Sequence, residues 1–199
     1  MKQTAFILLF VVLSAFLLPT QALACACCSE DGEYSIRFRK AEDYELGEMK
    51  RMRFGRTAFL FLSEADLDFI EGIDQPSTTY FATGSLIGNT WKLSLRSGRS
   101  SGVLELLLPE KVLFYSVDIR DGRRSGGGGP LLYKEWRFEG QVSGTGLFKK
   151  GITGPTKYFL VLQGRGNGCT NAEDFGNWRL EITGEKAKYA FYGKLGKPD

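Results

Sequence analysis

The chain has 199 residues, 26 Lys and Arg against 23 Asp and Glu, a formal net charge of +3, and no histidine. Without histidine, Ser-His-Asp and Cys-His catalysis, the usual zinc hydrolase sites and an axial haem histidine are excluded. The near balance of charge, with no block of one sign, argues against nucleic acid as a partner.

Residues 1–24 read as an export signal. Lys2 supplies the positive start, Ala5 to Leu18 is apolar apart from Ser14, Pro19 ends the run, and small residues follow Thr20-Gln21. That run is too short to span a bilayer comfortably. Cleavage after Ala22-Leu23-Ala24 releases one domain, 25–199; cleavage after Ala24-Cys25-Ala26 releases a chain starting at Cys27. Acylation of Cys25, a lipid anchor, is a third outcome, weakened by Ala22 where bacterial lipoproteins usually carry Leu. Only Lys2 among charged residues is lost with the signal, so the net charge falls from +3 to +2. No later apolar run is long enough for a transmembrane helix. The expected location is secreted or periplasmic.

Cys25, Cys27 and Cys28 crowd the start of the domain, and Cys169 lies far downstream. In an exported protein an even number of cysteines first indicates disulfides. Adjacent Cys27 and Cys28 would close a strained ring. One N-terminal cysteine is therefore expected to join Cys169, closing a loop worth about 4–5 kcal/mol in the chain-entropy model. Cys25 and Cys28, at Cys-x-x-Cys spacing, are then free to pair locally. The alternative is a thiolate centre in which Cys25, Cys27, Cys28 and Cys169 bind copper, as Cu(I), or zinc. Against it, the spacing matches no recognised zinc framework. Redox chemistry is weaker again, because the cysteines lack the strand-to-helix setting that lowers a thiol pKa.

From Tyr34 onward the chain reads as strand after strand. Tyr34–Arg39 alternates apolar and polar, and Thr57 to Leu62 is apolar on both faces, as suits a strand packed on each side. The stretch Ser63-Glu64-Ala65-Asp66, followed by Leu67, Ile70 and Ile73 at helical spacing, predicts one short helix near 64–71, stopped by Gly72. Val103 to Leu108, Val112 to Ile119 and Tyr158 to Gln163 are further strand runs. Gly88-Asn89, Ser97-Gly98, Pro109-Glu110, Ser143-Gly144 and Thr183-Gly184 read as turns between them. The fold class is all-β: an antiparallel β-sandwich or β-barrel.

Arg120 to Pro130, with Arg123-Arg124-Ser125 before four glycines, reads as a mobile basic connector. The words Trp91-Lys-Leu-Ser, Trp136-Arg-Phe-Glu and Trp178-Arg-Leu-Glu put Trp and a second apolar residue on one strand face. Core is the preferred reading over an exposed sugar-stacking platform. Between Gly164 and Trp178, glycines alternate with Arg165 and Asn167, and Asn171, Glu173 and Asp174 follow Cys169. This connection is the best location for a binding site. Its simpler reading is a long hairpin loop pinned at Cys169, with Ala172 to Phe175 as a helical turn. Glu173 and Asp174 could serve a hydrolase only if they converged across a scissile bond.

The function read from the sequence is an exported, non-enzymatic module with a binding or structural role and no cofactor. Its partner would be a small molecule, a glycan or a protein. The Cu(I) or Zn centre is the alternative, and a hydrolase using the acids of 164–178 comes third.

Overall fold

In a computed structural model, the described residues are 27–62, 70–119, 124–125 and 129–197. The elements are β1 (Tyr34–Arg39), α1 (Asp43–Arg51), β2 (Arg53–Leu60), β3 (Thr79–Ile87), β4 (Thr90–Ser97), β5 (Ser100–Leu107) and β6 (Val112–Asp118). There follow a two-residue ribbon, β7 (Arg124–Ser125) with β8 (Gly129–Pro130), then β9 (Leu132–Gly146), β10 (Lys157–Gly166), β11 (Phe175–Gly184) and β12 (Ala187–Leu195). The main sheet runs β1-β6-β9-β10-β11-β12-β2-β3-β4-β5, and β5 returns to pair with β9. Eight strands, β9 to β12 and β2 to β5, therefore close a β-barrel, and the choice between sandwich and barrel is settled.

Closure depends on the length of β9. Its residues 132–141 pair with β10 on one side. On the other side the strand is divided. Leu132 to Arg137 pair with β6, whereas Val142 to Gly146 pair with β5. β6, with β1 outside it, is thus a two-stranded flap continuing the sheet away from the barrel wall.

Alternation along each strand fills the barrel with apolar side chains. Trp91, Leu93 and Leu95 from β4 meet Leu104 and Leu106 from β5, Phe138 from β9, and Leu180 and Ile182 from β11. Phe54 stands edge-on to Trp91 and Trp178, with ring centroids 5.7 and 5.1 Å away. Such aromatic pairs add about 0.5–1.5 kcal/mol beyond burial. All three tryptophans are core, at 0%, 3% and 1% exposure for Trp91, Trp136 and Trp178.

Several expectations change. β2 is buried on one face only: Ala58 and Leu60 point in, while Phe59 and Phe61 are exposed. Ser143-Gly144 is no turn but lies inside β9. A Cβ on Gly144 would come within 2.6 Å of Ile152, so that glycine serves packing. Part of the 120–130 connector is the β7–β8 ribbon; residues 120–123 and 126–128 lie outside the described residues. The helix expected near 64–71 falls almost wholly on residues 63–69, also outside them.

The described helix, α1, was not anticipated. Its start carries Glu42 rather than a Ser, Thr, Asp or Asn cap, which hid the signal. Glu45 closes the first turn, accepting the Glu42 N–H at 2.9 Å. Arg39 at the end of β1 grips the same carboxylate at 2.8 and 2.7 Å, and Met49 buries the helix against the core.

Phe54→Ala is expected to cost about 3–5 kcal/mol, because two indole edges lose their partner. Phe61→Ala should stay within about 0.5 kcal/mol. Urea unfolding of the two variants checks the contrast.

Candidate functional site

The β10–β11 connection is tied to the start of the domain by the Cys27–Cys169 disulfide, with Cα atoms 4.7 Å apart. The Gly168 N–H also donates to the Cys27 carbonyl at 2.9 Å. Cys28 is itself disulfide-bonded, while Cys25 lies outside the described residues. Such bonding is consistent with an oxidising, exported environment. It also occupies Cys27 and Cys169, two of the four thiolates that a Cu(I) or Zn centre would use.

The connection is shorter than a free loop. β10 runs on to Gly166, a 3-10 turn covers Ala172–Asp174, and β11 begins at Phe175. The alternating glycines permit this closeness: a Cβ on Gly164 would lie 1.8 Å from the Asp174 carbonyl oxygen, and one on Gly166 2.1 Å from its carboxylate.

Each polar residue singled out in the connection has a local place. Arg165 is exposed on β10. The Asn167 side-chain oxygen accepts the Cys169 N–H at 3.1 Å, and the Asn171 carbonyl accepts the Asp174 N–H at 3.1 Å. Glu173 pairs with Arg51 at the end of α1. Asp174 turns the other way and accepts from Lys134 at 2.7 Å. The two acids therefore serve different cations and do not converge. The Ala172 N–H donates to Glu48 at 2.6 Å, which fixes α1 against the turn.

The Lys134–Asp174 pair is almost enclosed, with side chains 6% and 13% exposed. Lys134 also donates to the Cys169 carbonyl, so the ammonium holds the disulfide-bearing segment to β9. Lys134 shares the inward phase of β9 with Leu132, Trp136 and Phe138. It lies where β9 leaves the barrel to pair with the flap.

Between the flap and the pinned connection lies a cleft of about 220 Å3. Ser35 and Arg37 of β1, Ser116 of β6, Lys134 of β9 and Thr170 surround it, over Phe114 and Trp136. The two rings are edge-on at 5.7 Å, and Glu33 stands at the margin. Among the described residues, the side chains of Ser35, Arg37, Ser116 and Thr170 make no hydrogen bond or ion pair. Three hydroxyls and a guanidinium thus meet beside a fixed ammonium. The volume is below the ~300–1,000 Å3 of drug-sized sites, which suits a smaller ligand.

None of the five polar residues picked from the connection lines this cleft; Gly168 and Thr170 of the same segment do. Ser35, Arg37 and Ser116 read in the sequence as the wet face of ordinary strands. A lysine in the apolar phase of Leu132, Trp136 and Phe138 was the legible sign.

A larger outer-face groove, about 540 Å3, is bordered by Phe38, Leu113, Phe159, Lys111, Arg137 and Glu139. Its guanidinium is engaged: Arg137 pairs with Glu135, which also accepts from Tyr133 and Gln163. Burial by itself would raise the Glu135 carboxyl, but these donors together hold it below its ordinary value. Burial, and then the neighbouring carboxylate, push the Tyr133 hydroxyl up. The one guanidinium of this groove is thus engaged, whereas that of the cleft, on Arg37, is open among the described residues.

Lys134→Met should cost about 3–5 kcal/mol by stranding Asp174, while Lys134→Met with Asp174→Leu should recover much of the loss. Thermal and urea unfolding of the single and double variants measures both. Comparison with protein-family models, curated proteins and solved structures finds no match to this chain, so its geometry is the guide to function.

Proposed function

We propose that the protein is an exported, non-enzymatic binding module that takes a small hydroxylated anion, such as an acidic sugar, in the cleft beside Cys27–Cys169. One observation carries this reading. Arg37, Ser35, Ser116 and Thr170 face a common space without side-chain partners among the described residues, beside the buried Lys134. Arg37 supplies charge and planar donors for a carboxylate, and the hydroxyls exchange hydrogen bonds with ligand hydroxyls. A secreted or periplasmic location follows from the signal-like residues 1–24, and the disulfide agrees with it. A lipid anchor at Cys25 is compatible with the same role. Binding Cu(I) or Zn would require the Cys27–Cys169 bond to be reduced first.

Titration of the isotope-labelled protein with glucuronate, and separately with glucose, tests the reading. Glucuronate should shift the amides of Ser35, Arg37, Ser116 and Thr170, and Arg37→Ala should weaken it by roughly tenfold to a hundredfold. Glucose should bind more weakly. Absence of any shift at these amides with glucuronate would contradict the proposal.

A further inference from the structure

β1 is the end of the main sheet left open, since the opposite end, β5, is closed onto β9. Its six residues pair with β6 in continuous register, with no bulge and no proline. The Glu33 carbonyl accepts the Asp118 N–H at 2.8 Å, which fixes the hydrogen-bonding phase of this pair. Residues 33, 35, 37 and 39 turn their main-chain groups toward β6; Tyr34, Ile36 and Phe38 turn theirs to the open edge. The same three side chains share the outer face, at 61%, 54% and 67% exposure. Edge strands are commonly blunted by proline, a bulge or charge; β1 has no proline and no bulge, and its charges, Arg37 and Arg39, lie on the face opposite the apolar row. Among the described residues, its apolar row and its unpaired main-chain groups therefore occur together.

We infer that β1 joins two copies of this chain, each donating β1 as an antiparallel strand to the other about a two-fold axis at Ile36. The strand is self-complementary in that register. Residues with outward main-chain groups face one another, Ile36 opposite its copy and Tyr34 opposite Phe38 of the second copy, so that hydrogen-bonded pairs form along the strand. Side-chain pairs of this kind contribute on the outer face. On the other face Glu33 stands opposite Arg39 and diagonal to Arg37 of the second copy. Arg37 stands opposite Ser35 of the second copy, so the opposite-charge pair across the axis is Glu33 with Arg39. An axis at Arg37 would instead set Arg37 against its own copy, a like-charge pair that disfavours it. Only the axis at Ile36 also pairs all three exposed apolar residues with one another, and this, together with Glu33 opposite Arg39, selects the second copy and its register. A six-residue strand gives a contact at the small end of specific interfaces, so the dimer should dissociate on dilution.

Sedimentation of the mature, disulfide-bonded protein across about a hundredfold concentration range tests this. A reversible monomer–dimer equilibrium is expected. Ile36→Lys, which sets like charges across the axis, should weaken it at least tenfold. Glu33→Arg, which sets like charges opposite Arg39 and diagonal to Arg37 of the second copy, should also weaken it, whereas Glu33→Asp should leave it nearly unchanged. These positions are solvent-accessible, and near-UV circular dichroism confirms the fold of each variant. A monomer at every concentration, or a dimer insensitive to Ile36→Lys, would overturn the inference. A dimer insensitive to Glu33→Arg would overturn the register.

Discussion

The structure depends on one strand serving two neighbours along the same edge. Over its first half β9 holds β6, and over its last residues it holds β5. The second pairing closes the barrel, and the first carries the flap outside it. Residues 132–137 and 142–146 of that edge find partners because β6 and β5 divide the strand between them. A shorter β9 would give either a closed barrel without a flap or an open sheet. The cleft exists because the sheet both closes and continues.

The disulfide and the buried ion pair act on that geometry. Where the flap leaves the barrel wall, the inner face of β9 loses its apolar partners, and Lys134 occupies the position. A lone ammonium there would be costly; Asp174 and the Cys169 carbonyl satisfy it. Cys27–Cys169 then joins the segment leading into β1 to the connection carrying Asp174. The bond closes a loop 142 residues long, which places its stabilisation at the upper end of the usual range, about 5 kcal/mol in the chain-entropy model. The same tether brings Thr170 opposite Ser35 and Arg37.

Local features were legible in the sequence, and long-range ones were not. β1 was read at its actual bounds because alternation over six residues is a local signal. The tryptophan words were read as core because Trp shared a phase with Leu or Phe. A disulfide to Cys169 followed from the compartment and from the strain of joining adjacent cysteines. By contrast, barrel closure rests on β5 meeting β9, a pairing that no local pattern encodes. Gly144 looked like a turn because a glycine that admits a neighbouring isoleucine resembles one that bends the chain. α1 escaped because its cap is glutamate and its exposed face is polar. The cleft escaped because it draws single residues from β1, β6, β9 and the β10–β11 connection.

The central claim is that Cys27–Cys169 holds the flap and connection together around a cleft while the barrel stands on its own packing. Amide hydrogen exchange before and after reduction tests it most directly. The account predicts a loss of protection in residues 28–39, 112–118 and 166–174 that exceeds the general drop shared by 79–107, which stay folded. Unchanged protection throughout, or an equal loss in the barrel strands, would contradict it.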